Sequence, residues 1–163
     1  VSRQSYATPL TAVSTDIKEA GGQGAAVGDE REDINGSHYV LCKAAGTITA
    51  KACVSVAAGT YTSVAATSAA TVIFGISKAA ATTTQYHWVQ TSGLAIVIDN
   101  SSLGINEWAF ATTAGKCRGV AMGSSIGNKG SYFTIGYCTV GGAGDGTDAT
   151  IMITPMIVYD DTT

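Results

Sequence analysis

Two histidines, four cysteines and one glycine- and aspartate-rich loop are the residues with types and spacing that could do chemistry. His38 and His87 are the sole histidines, and each sits inside an extended apolar run. No serine lies in a G-x-S-x-G elbow, so a Ser-His-Asp or Cys-His arrangement would have two candidate bases and no signature for its nucleophile. The expectation is therefore a chain that is not an enzyme. His38 and Cys42 are spaced to share a metal on a helix, but on a strand they stand ~13 Å apart. The run Gly141-Gly142-Ala143-Gly144-Asp145-Gly146-Thr147-Asp148 offers carboxylate and carbonyl oxygens of the kind calcium takes. It lacks the order of an EF-hand loop, and no Lys-Ser/Thr follows it to hold a phosphate. Asp145-Gly146 reads better as a turn. Neither a cofactor nor a metal is expected.

Cys42, Cys53, Cys117 and Cys138 are widely spaced and do not form a dense disulfide framework. Reduced, mostly buried thiols are expected, with a cross-strand Cys42–Cys53 bridge as the alternative if the geometry allows it. Asn35-Gly36-Ser37 and Asn100-Ser101-Ser102 match the glycosylation pattern, yet both read as turns.

The composition narrows the function further. A chain of 163 residues with 45% hydrophobic residues suits a single domain with a real core. Charged residues make up 13%, against ~25% in ordinary soluble domains. A net charge of −3 without basic clusters argues against direct nucleic-acid binding. No apolar run approaches the ~18–20 residues that cross a bilayer, and the first twenty residues lack a basic start with an apolar stretch behind it. A soluble chain without an export signal or a membrane partner is expected.

Short strands must position whatever the chain does. The central stretch, Tyr86 to Asp99, alternates on both sides of Thr91-Ser92-Gly93 and predicts a buried β-hairpin. Further strands are expected at His38–Cys42 after the Asn35-Gly36 turn, at Ile48–Val56, Tyr61–Val64, Thr71–Ser77, Glu107–Ala111, Lys116–Met122, Tyr132–Val140 and Ile151–Tyr159. Gly75 inside a strand marks a bulge or a close backbone approach, and Pro155 puts the last strand at an edge or breaks it. Lys78–Thr84 is alanine-rich enough for a helical turn, but its threonines oppose a long helix. Residues 1–34 carry no lasting period and predict an N-terminal arm, free to lie along a neighbour, before a β-domain over 35–163. The fold class predicted is all-β, a single-domain sandwich or barrel of jelly-roll type with an extended arm. Trp88, Trp108, Tyr86, Phe110, Tyr132, Phe133 and Tyr137 either fill the core or line a carbohydrate or partner site.

The order of segments resembles the head decoration, or cement, proteins of tailed bacteriophages. The resemblance rests on Gly36–Leu41, Ala45–Ala50, Gly75–Ser77, Thr113–Lys116, Gly119–Ala121 and above all the Tyr86-His87-Trp88-Val89-Gln90-Thr91-Ser92-Gly93-Leu94-Ala95 segment, and spans residues 33 to 140. It implies a non-enzymatic virion protein, assembled in the host cytoplasm and carried on the outer surface of the capsid. Its partners would be the major capsid protein and itself, as a homotrimer or homodimer. Tyr6, Pro9, Leu10, Val13 and Ile17 of the arm, with Trp88 and Trp108, are the contact residues this reading selects. A receptor- or glycan-binding domain of a phage fibre or spike is the alternative.

Overall fold

The computed structural model describes residues 9–57, 59–68, 72–101, 103–122, 124 and 130–160. It is all-β apart from one helical turn, α1 (Ile17–Gly21), and a short 3-10 turn at Thr113–Gly115. Strands β1 (Glu30–Glu32), β2 (His38–Ala44), β3 (Cys53–Ala57), β4 (Thr62–Ala65), β5 (Gly75–Ser77) and β6 (Tyr86–Gln90) form one sheet. Within it β2, β4, β3, β5 and β6 close on themselves, because β6 also pairs with β2, from Tyr39↔Gln90 to Lys43↔Tyr86. The result is a five-stranded barrel. Strands β7 (Gly93–Ile98), β8 (Glu107–Ala111), β9 (Cys117–Ala121), β10 (Gly130–Val140) and β11 (Asp148–Asp160) form a second, antiparallel sheet in the order β7-β11-β10-β8-β9.

Burial follows the two-residue period of these strands. Val40, Cys42, Ala44, Val54 and Val89 point into the barrel and pack with Ile48, Ala52 and Ala81. Cys53, Ala66, Ile73 and Ile76 lie on the far side of the barrel wall and meet the inner face of the second sheet, whose rows include Ala95, Ile151 and Cys138. Opposite that contact, Tyr39, Leu41 and Trp88 point outward and are covered by the N-terminal segment. The molecule is thus three layers, with the barrel in the middle.

Gly75 fulfils its close-approach reading: a Cβ there would lie 2.2 Å from the Gln90 carbonyl oxygen. Pro155 also falls where expected. The pairing of β11 with β7 ends at Ile153, and the ladder with β10 shifts register between Gly136↔Ile153 and Thr134↔Met156. The missing donor is accommodated at that irregularity.

The central hairpin is corrected. β6 and β7 do not pair; β6 closes the barrel and β7 starts the second sheet. At the corner Gly93 adopts φ +85°, where a Cβ would meet the Ser37 side chain at 2.4 Å. The Gln90 side-chain amide donates to the carbonyls of Ser92 and Leu94 at 3.0 and 2.8 Å, fixing a turn out of one layer into the next. The long strand expected over Ile48–Val56 is also shorter, starting at Cys53. Lys51 stands at φ +67° and its N–H donates to Ser77, so the chain bends before β3. Lys78–Thr84 forms no helix; Ala81 makes a bridge to Ile48.

Candidate functional site, an open sheet face

The two tryptophans chosen as contact residues lie in different environments. Trp88 is only 1% exposed. Its indole N–H donates to the Ala20 carbonyl at 3.0 Å, and the Arg31 guanidinium stands 4.3 Å over its ring while also donating to the Gly21 carbonyl. Leu10 and Ile17 pack on the same cluster, and Val13 packs against the barrel core. Of the selected residues, Trp88 is thus enclosed within the chain, while Leu10, Val13 and Ile17 pack on the barrel and remain partly exposed. Pro9 is exposed, and Tyr6 lies outside the described residues.

Local chemistry explains why the segment lies down. Asp16 caps α1 by accepting from the Lys18 N–H at 2.9 Å, and Ser14 hydrogen-bonds Glu19. Ser14 and Tyr86 exchange two backbone hydrogen bonds, at 3.3 and 2.7 Å. Past α1, β1 pairs with β2, and the hairpin between them is tied by Asp33. Its carboxylate accepts from the Asn35 and Ser37 N–H groups and from the Tyr39 hydroxyl. Burial alone would raise the Asp33 pKa, but these hydrogen bonds and nearby Lys78 outweigh it and hold the carboxyl below its usual range. Burial, with Asp33 beside it, pushes Tyr39 up to about 12.

Trp108 lies on the outer face of the second sheet. The registers run Leu94↔Met152, Met152↔Tyr137, Tyr137↔Trp108 and Trp108↔Val120, so one row of five side chains crosses all five strands on one side. The next row begins Ile96↔Thr150↔Val140. Leu94, Ile96 and Val140 are 56%, 48% and 58% exposed, while Met152, Tyr137, Trp108 and Val120 are partly exposed. These exposed apolar side chains lie in adjoining rows of one sheet face. Phe110, two residues on and so on the same outer face of β8, is fully buried together with its cross-strand partner Thr134, so the face is closed at that end. Alternation puts Trp108 and Phe110 on one face, as expected, but does not say which of them is buried; the expected buried hairpin put Leu94 and Ile96 in the core because both faces of their strand are apolar.

Of the two histidines, His38 is exposed at the start of β2 and His87 is closed inside the barrel. His87 Nε2 lies 2.7 Å from the Ser63 hydroxyl and its Nδ1 2.9 Å from that of Ser77, which donates on to the Ala79 carbonyl. One arrangement satisfies all three: Ser63 donates to Nε2, and Nδ1–H donates to Ser77. Burial pushes His87 down to about 4, so the ring is neutral at pH 7. Ser63, Ser77 and His87 are all buried. The hydrogen-bonded chain holds β4, β5 and β6 together across the barrel and offers no open side to a substrate.

The four cysteines are free and buried, and burial raises Cys42 to about 12. The alternative Cys42–Cys53 bridge does not form. Cys42 faces the barrel interior and Cys53 the second sheet, where its sulfur lies 2.9 Å from that of Cys117. The glycine-rich loop after β10 is organised by a residue the sequence reading passed over. Asp99, fully buried, accepts from the N–H groups of Ser101 and Leu103 at 2.9 Å each, and its own carbonyl accepts from Gly146. A carboxylate at a strand end followed by Asn-Ser-Ser was the available signal. Asp145 and Asp148 pair with Lys116 and Lys51 at 2.7 and 2.6 Å. Among the described residues no three His, Cys, Asp or Glu side chains converge to hold a metal.

The fold is a closed barrel with a second sheet packed on one side, whose outer face carries a partly exposed apolar row. No family model matches the chain, and no curated protein does. Among solved structures it is similar in fold to the N base of the head fiber protein gp8.5 of bacteriophage phi29, with a TM-score of 0.56 and 13% sequence identity. The alignment covers 71% of this chain and 92% of that one.

Proposed function

We propose that the chain is a non-enzymatic structural protein of a tailed-phage head. It binds the outside of the assembled capsid and ties neighbouring capsomers together against the pressure of packaged DNA. The observation that carries this reading is the open apolar row from Leu94 through Trp108 to Val120 on the outer sheet. Trp and Tyr at the centre of such a face supply contact area at modest entropy cost. The fold likeness to a head-fiber base supports a position on the head, as does the resemblance of the Tyr86–Ala95 segment to cement proteins. In this reading the major capsid protein lies against the outer sheet, and copies of the chain assemble as a trimer. Icosahedral repetition multiplies contacts that are individually weak.

The test is cosedimentation of the protein with expanded, undecorated capsids, together with its mass in solution. Saturable binding at a fixed ratio to capsid subunits is expected, and the Leu94→Thr/Ile96→Thr variant should lose it while staying folded. A variant that binds like the parent would remove the sheet face from the interface. The adjacent Trp108 and Tyr137 favour one further reading, a glycan-binding fibre domain in which these rings stack on a sugar. Binding on a glycan array with no affinity for capsids would select it.

A further inference from the structure

We propose that Cys53 and Cys117 are partners in a disulfide that staples the barrel to the second sheet. The two residues come from different layers, β3 and β9, and are 64 positions apart, yet their sulfurs stand 2.9 Å from each other in the buried seam. A disulfide needs ~2.05 Å, so bond formation takes less than about 1 Å of movement. The backbone around the pair is tightly held. Cys53 accepts from the Ala66 N–H at 2.9 Å, and the Cys117 carbonyl accepts from Asn100 at 2.7 Å. Gly115, two residues before Cys117, donates to the Ala66 carbonyl at 2.8 Å. It stands so close to β3 that a Cβ would lie 2.7 Å from the Ala52 Cβ and 2.8 Å from the Cys53 carbonyl oxygen. The other thiols are differently engaged: Cys42 faces the barrel interior and the Cys138 sulfur points to the Leu103 carbonyl.

The oxidant is a low-molecular-weight disulfide such as oxidised glutathione. The thiolate of one cysteine attacks it, forming a mixed disulfide and releasing one small thiol. The second cysteine, as thiolate, attacks the protein-bound sulfur and releases the other. Two protein S–H bonds are lost and one Sγ–Sγ bond forms, while the oxidant's S–S bond is reduced to two thiols. Both cysteines are fully buried, so the first attack takes place before the layers close. This inference is independent of the proposed capsid role.

The experiment refolds the full chain with oxidised glutathione, or with excess reductant, and then alkylates it in denaturant. After oxidative refolding, Cys42 and Cys138 should be alkylated, and a non-reducing peptide map should show the Cys53 and Cys117 peptides joined within one chain. The link should persist in Cys138→Ala and vanish in Cys117→Ala. The oxidised chain should melt roughly 10 °C above the reduced one. Alkylation of all four cysteines, or a link that uses Cys42, Cys138 or a second chain, would overturn the assignment. An unchanged melting midpoint in linked protein would overturn the staple.

Discussion

Trp88 and Trp108 both sit on strands, both point away from a buried inner row, and they meet opposite fates. The outward face that holds Trp88 is covered by the chain's own N-terminal segment, with a hydrogen bond from the indole and a guanidinium over the ring. The row that holds Trp108 is partly exposed and ends in exposed Leu94, although Phe110 on the same face is buried. The difference lies in the cover, not in the strands. An apolar sheet face is stabilised by whatever packs on it, and in the proposed reading the exposed part of the Trp108 face is packed by a partner.

The largest effect should come from breaking the covered face. Trp88→Ala removes a buried aromatic, its hydrogen bond and the platform for Arg31, and is expected to cost about 3–5 kcal/mol. Urea unfolding would measure the loss. Limited proteolysis should show new cleavage before Asp33 in the variant, because Leu10, Ile17 and Ala20 lose the surface they lie on. A variant as resistant as the parent would mean that the cover holds without its tryptophan.

The second effect attacks the barrel on which both faces rest. His87 titrates near 4 in the folded chain and near 6.5 when unfolded. Between those values the unfolded state binds the extra proton, so stability falls as pH drops from 6.5 towards 4 and is unaffected by this group above that window. The loss at pH 4 is about 3 kcal/mol, to order of magnitude. Stability measured against pH should show this slope in the parent and lose it in His87→Gln. If the slope survives in that variant, another group carries it.

A smaller change sharpens the comparison by loosening the cover without touching its apolar contacts. Asp16→Ala removes the cap of α1 and should cost about 1 kcal/mol. Hydrogen exchange should quicken at the amides of 16–22, while those of β10 and β11 keep their protection.

What the sequence disclosed follows the range of each physical signal. β8 was legible residue for residue, as Glu107–Ala111, because period-two alternation and the flanking breakers are local. Gly75 and Pro155 were legible because each carries a backbone constraint of its own. The β6–β7 hairpin was misread because Thr91-Ser92-Gly93 turns a chain equally well between paired strands and between layers. Only the distant partners, β2 for β6 and β11 for β7, distinguish the two. The N-terminal segment hid its order because α1 and β1 have 5 and 3 residues, too few to display a period. Which tryptophan would be covered was not readable at all, since the Ala20 carbonyl that meets Trp88 lies 68 residues upstream of it.

The smallest expected change in stability falls on the open face, and it tests the comparison most directly. Leu94 and Ile96 are about half exposed in the isolated chain, on the edge strand of the sheet. Replacing both with threonine keeps β-branched or strand-compatible side chains and removes apolar surface that already meets water. The cost to folding should stay within about 1 kcal/mol in urea unfolding. An effect of that size on stability, joined to a loss of capsid cosedimentation, is what a face reserved for a partner predicts. A large loss of stability would instead mean that these side chains are covered within the chain, and that Trp108 shares the situation of Trp88.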